Sequence, residues 1–135
     1  MNFQSWRIWI GISGISGALA VALGAYGYHK LASDESMRNV FATAVQYHMW
    51  HTLALFGVAW LTANRKDGSS YWAVRAGWSF VGGIILFSGS LYAYCLIDAE
   101  PLGSAPPIGG MLFITGWVML AWSAIKKSDK RVKNL

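Results

Sequence analysis

Acidic residues, cysteine and proline are all scarce in this sequence. Its 135 residues include six Asp and Glu together, one cysteine and three prolines. The single cysteine, Cys95, excludes an intrachain disulfide framework and a Cys-x-x-Cys metal site, leaving packing within a helix as its expected role. Charged residues make up 13% of the chain, against about 25% in ordinary soluble domains. The few charges gather at residues 30–38, 65–67, 98–100 and 126–133, with long apolar runs between them. No acidic residue falls inside those runs, so they hold neither a carboxylate pair nor a His–carboxylate metal motif. Asp98 and Glu100 sit in a polar loop whose charge needs no special function. Other fingerprints are missing too. The glycine-rich stretch GISGISGALAVALGAYG lacks the G-x-G-x-x-G spacing and a preceding strand, which excludes a dinucleotide site. Ser88-Gly89-Ser90 lacks the G-x-S-x-G of a nucleophile elbow.

What the chain does have is apolar and aromatic: 55% hydrophobic residues, 15% aromatics and eight Trp. Deficit of charge and its blockwise placement together indicate one integral membrane domain over residues 1–135. The net charge of +5 does not indicate nucleic acid. Five of the basic residues lie in the tail KKSDKRVKNL directly after an apolar run, where such clusters orient a protein and attract anionic lipid.

A hydrocarbon core about 30 Å thick is crossed by roughly 20 helical residues. Four windows suit that length, at approximately 8–28, 44–63, 77–97 and 108–125. The second is expected to belong to a longer helix capped near the sequence SDES at 33–36. The turn at 65–70 separates spans two and three, and Pro101, Gly103, Pro106 and Pro107 separate spans three and four. The first apolar run exceeds a usual signal-peptide core and is expected to be retained as a helix. Arg7, then Arg65, Lys66 and Arg75, then the tail fall on one side, and only Lys30 and Arg38 on the other. The positive-inside rule therefore places both termini in the cytoplasm. Trp6, Trp9, Trp60, Trp72 and Trp122 fall at the same predicted ends, as an interfacial belt would. Gly14, Gly17, Gly24 and Gly27 on span one, with Gly82, Gly83, Gly109, Gly110 and Gly116 on spans three and four, offer notches for close helix packing.

The unusual feature is polar. The stretch AVQYHMWHTLAL places Gln46, His48 and His51 inside a span, and an ionisable residue there is expected to face the bundle interior. His51 lies about 11 Å deep at about 1.5 Å per residue. His29 closes span one, while Ser88, Ser90, Tyr92 and Thr115 reach comparable depth from spans three and four. His48 and His51, three residues apart, are expected to share a helix face near Thr43 and Thr52.

Four blocks, GALAVALGAYGYHKL, AVQYHMWHTLAL, ILFSGSLYAY and PPIGGMLFITGW, resemble in order and spacing a small four-span membrane family known as domain of unknown function 423, with animal relatives called transmembrane protein 256. The resemblance covers roughly residues 8–125 and implies four helices in the bacterial inner membrane, with no reaction attached. By position, His29, Gln46, Tyr47, His51, Ser88, Gly89 and Ser90 match the family's pattern, and His48 departs from it.

The polar layer admits three readings. In the first, the imidazoles and the amide hydrogen-bond across helices and fix their register, and the protein is a non-enzymatic accessory or scaffold subunit. In the second, His29, His48 and His51 converge on a metal or haem. In the third, His51 serves a small transporter or channel. The first is the expectation, with no cofactor and no nucleic-acid partner, and with membrane lipids, further copies or a larger membrane complex as partners.

Overall fold

A computed structural model describes residues 5–31, 34–65, 68–97 and 103–125. The basic tail, Pro101, Asp98, Glu100, Lys66, Asp67 and Ser33 lie outside the described residues. Four helical rods run up and down: α1 (Ser5–Lys30), α2 (Glu35–Asn64), a third rod, and α5 (Ala105–Ile125). The third rod joins α3 (Gly68–Gly83), a π turn (Ile84–Ser88) and α4 (Gly89–Ile97) without a break in helical backbone. No strand occurs among the described residues.

The helix ends reflect local chemistry. Asp34 caps α2, its carboxylate accepting the Met37 N–H at 3.0 Å, which occupies one of the free donors of the first turn. At the other end the Arg65 N–H closes onto the Leu61 carbonyl at 3.0 Å. Gly103, at φ 43°, takes the left-handed conformation that turns the chain into α5. Pro106 and Pro107 then sit in the first turn, where the missing N–H groups would have had no partner.

Three rods are long and apolar enough to cross a membrane: Trp6–Lys30, Ser70–Ile97 and Ala105–Ile125. The remaining rod, α2, is 30 residues long but carries Gln46, His48, His51 and Thr52. All of these except Gln46 are buried, so much of its polarity points inward.

In lipid no hydrophobic force drives one helix onto another, so close packing must hold the bundle. Here aromatic rings fill glycine holes. Phe41 lies over Gly27, Trp9 over Gly77, Phe113 over Gly83 and Phe80 over Gly116. A Cβ at Gly77 would come within 2.5 Å of the Trp9 ring, and one at Gly116 within 2.6 Å of Phe80. At Gly109 a Cβ would meet not a ring but the backbone of Phe87, with its Cα at 2.8 Å. Gly17, Gly24 and Gly82 make ordinary or close contacts with Thr52, Val45 and Leu112. Gly14 and Gly110, expected as packing notches, instead face open space. Trp9, expected in an interfacial belt, is buried core: it is 2% exposed, fills the Gly77 hole and meets Trp78 edge-on at 5.3 Å. Trp6, Trp60 and Trp122 do lie exposed at one end of the bundle.

Candidate functional site

The midpoint of α2 carries both internal histidines, and the fold sends them to different neighbours. His51 turns toward α5. Its Nδ1 lies 2.6 Å from the Tyr47 carbonyl oxygen, which only accepts, so Nδ1 carries the proton and donates. Nε2 is then the free lone pair, and it accepts the Trp117 indole N–H at 3.2 Å. The ring stacks on Phe113 with centroids 3.5 Å apart and planes 9° from parallel. One neutral tautomer therefore satisfies both nitrogens, one within α2 and one across to α5.

His48 turns toward α1 and α4. Its Nε2 lies 3.0 Å from Ser16 Oγ and its Nδ1 lies 3.1 Å from the Tyr92 hydroxyl. Ser16 Oγ continues the chain to Thr52 Oγ1 at 2.6 Å. Four buried polar groups thus link α1, α2 and α4. The chain has three consistent polarities: Tyr92 donates to His48 and His48 to Ser16 with the Ser16–Thr52 bond running either way, or Thr52 donates to Ser16, Ser16 to His48 and His48 to Tyr92. In each, both imidazole nitrogens are used. The π turn contributes to this placement. There the Gly89 N–H reaches back to the Ile84 carbonyl, five residues earlier. One extra residue in a helix of 3.6 per turn rotates the rest of the rod by roughly 100°, and Tyr92 lies beyond it.

The remaining expected members stand apart. His29 is exposed in the last turn of α1, edge-on to Tyr28 at 5.5 Å. It lies thirteen residues from Ser16, so about 20 Å along α1 from the residue that holds His48. The proposed convergence of His29, His48 and His51 is not what the fold makes, because α1 carries His29 to the end of the bundle. Among the described residues no group of three His, Cys, Asp or Glu side chains comes together. Gln46 is exposed, in a cleft between α1 and α2. Ser90 turns back to the Phe87 carbonyl at 2.9 Å. Ser88 is fully buried, and its hydroxyl has no partner among the described residues. Thr43 and Thr115 are exposed and bonded to carbonyls of their own helices.

Three contributors to these contacts are not among the residues expected from sequence. Ser16 stands there only as a small residue in a glycine stripe, although antiparallel pairing of α1 and α2 sets it opposite His48 and Thr52. Trp117, the partner of His51, and Gly77, the hole for Trp9, carry no local signal, because each matters only through another helix.

Beside His51 an open groove of about 710 Å³ separates α2 from α5, lined by Tyr47, Trp50, Phe87, Met111 and Trp117 among others. It is mostly apolar, and the polar atoms of His51 and Trp117 at its wall are already spent on each other. Both ring nitrogens of His48 and of His51 are engaged in hydrogen bonds within the bundle. What the arrangement supplies is three-way hydrogen bonding between helices.

No solved structure matches the chain. The sequence profile of the family described as protein of unknown function (DUF423) matches residues 23–110. The chain is 41% identical to the UPF0382 membrane protein YwdK of Bacillus subtilis over 122 residues, which is 89% of this chain and 98% of that one. It is 36% identical to a UPF0382 membrane protein of Haemophilus influenzae, over 85% of this chain and 91% of the relative. It is 33% identical to the UPF0382 inner membrane protein YgdD of Escherichia coli, over 95% and 97% of the two chains. With a matching profile and relatives aligned over nearly their whole length, this chain belongs to the DUF423 family of membrane proteins of unknown function.

Proposed function

We propose that the protein is a multi-pass inner-membrane protein in which all four rods cross the bilayer and both termini are cytoplasmic, and that it acts as a non-enzymatic accessory or scaffold subunit. The observation that carries this reading is the saturation of both internal imidazoles. His48 and His51 each use both ring nitrogens on groups of their own bundle, leaving no lone pair for a metal or substrate. Buried polar groups of this kind fix register and orientation more than they stabilise, at about 0.6 kcal/mol per interhelical bond on average.

The burial of His48, His51 and Thr52 supports α2 crossing the bilayer with the other three. The grouping of Arg7, Arg65 and Arg75 at one end supports cytoplasmic termini. A surface for partners is available on α1, where Gly14, Ala18 and Ala22 recur every four residues, all exposed, with nothing packed near Gly14. Small residues at that spacing let a second helix approach closely.

Gentle solubilisation of membranes, followed by native electrophoresis and elemental and absorbance analysis of the same preparation, tests the reading. The expected result is a species larger than the 14.8 kDa chain in its detergent micelle, colourless and without stoichiometric metal. A monomer carrying one metal or haem, lost in His51→Ala, would overturn it.

A further inference from the structure

The cleft holding Gln46 lies between the last turns of α1 and the first turns of α2, with a volume of about 370 Å³. Its floor is apolar, formed by Gly24, Phe41, Ala42 and Val45. The Gly27 hole is occupied by the Phe41 ring, and a Cβ at Gly24 would crowd Val45 at 3.3 Å. At one end stands Arg38, partly buried, with no ion pair or side-chain hydrogen bond to any described residue. The nearest carboxylate in sequence on its own face, Asp34, is engaged in capping Met37. Gln46 stands two turns deeper, about 12 Å along α2, and its amide also has no partner among the described residues. Side chains on a helix lean toward its N-terminus, so Gln46 leans toward Arg38.

A guanidinium partly withdrawn from water, with no partner among the described residues, is matched by a phosphate, which it can bind bidentately. An amide left in hydrocarbon without a partner is costly, by roughly 1–3 kcal/mol. The order along the cleft is a cation, then an amide donor, then an apolar floor. A glycerophospholipid presents the matching order of phosphate, ester carbonyls and acyl chain, whereas free phosphate would satisfy Arg38 alone. We propose that this cleft binds a glycerophospholipid, its phosphate on Arg38, its ester region toward Gln46 and one acyl chain over Gly24. Arg38 is the one charged residue lining the cleft among the described residues, so the site reads the phosphate that ethanolamine and glycerol headgroups share.

The proposal rests on α2 lying in the bilayer, which is measured separately. In a Cys95→Ala background, Gln46→Cys should resist a water-borne, membrane-impermeant maleimide; ready labelling would sink the topology, whatever the lipid result. The binding test is native mass spectrometry of the delipidated protein with phosphatidylethanolamine, phosphatidylglycerol, diacylglycerol of the same chains, and inorganic phosphate. One phospholipid of either headgroup should be retained per chain. Arg38→Gln should lower that affinity by about tenfold, the loss of one charge-assisted bond. Gln46→Leu should lower it a few-fold, and thermal melts should show both variants folded. Equal retention by wild type and Arg38→Gln, or equal binding of diacylglycerol, would overturn the proposal. Displacement of the lipid by millimolar phosphate would also overturn it, by showing a free-anion site.

Discussion

Gly109 and Gly110 are neighbours in α5 with opposite surroundings, and replacing each by alanine gives a sharp test of the helix packing. Both substitutions gain the same helix propensity, about 0.8–1.0 kcal/mol in favour of alanine. At Gly110 the new methyl meets nothing within 4 Å, so that gain stands alone. At Gly109 it meets the Phe87 Cβ at 2.7 Å and Cα at 2.8 Å. Carbon atoms rest at about 3.5–4.0 Å, so the third rod and α5 must part by close to 1 Å. A backbone atom on a packed rod cannot rotate away as a side chain can. Overpacking of this kind costs typically about 1–3 kcal/mol. The difference between the two variants cancels propensity and isolates the clash, so Gly109→Ala should be less stable than Gly110→Ala by about 1–3 kcal/mol. Unfolding in mixed micelles by added sodium dodecyl sulfate, monitored by tryptophan fluorescence, reads that difference. Equal midpoints for the two variants would refute the close approach of Phe87 to Gly109.

Single contacts set further expectations. Tyr92→Phe removes the hydroxyl beside His48 Nδ1 and should cost about 1 kcal/mol, read by the same unfolding assay. Ser88→Ala deletes a buried hydroxyl that has no partner among the described residues, so stability should hold or rise by up to about 1 kcal/mol. A loss above that size in the same assay would mean that Ser88 has a partner. Fusing a reporter that fluoresces only in the cytoplasm to the C-terminus should give bright cells, and a dark fusion with an active periplasmic phosphatase counterpart would reverse the assigned topology.

Much of the architecture is legible in the sequence because membranes impose strong constraints on it. Long apolar runs, a Ser-Asp cap and the Pro/Gly turn before α5 mark the rods directly, and the ends of α1 and α5 fall within three residues of expectation. The polar layer is legible only in part. His48 and His51 differ by about 60° around α2, since three residues turn about 300° at 3.6 per turn. For a helix surrounded by three others that angle changes the neighbour, which sends His51 to Trp117 and His48 to Ser16 and Tyr92. The π turn has no mark in the sequence IILFS, yet it re-aims Tyr92. Glycine notches are visible but not their contents: whether a glycine is a hole or open surface depends on the aromatic ring opposite, as Gly109 and Gly110 show.

The proposed function treats the imidazoles inside the bundle as interhelical stitches, and the bond between His51 and Trp117 is where that proposal is most exposed to test. A double-mutant cycle using His51→Ala, Trp117→Phe and the pair in one detergent measures the link directly. The expected result is a favourable coupling of about 0.6–1.7 kcal/mol, the range of interhelical hydrogen bonds in membrane proteins. Strict additivity of the two substitutions would contradict it.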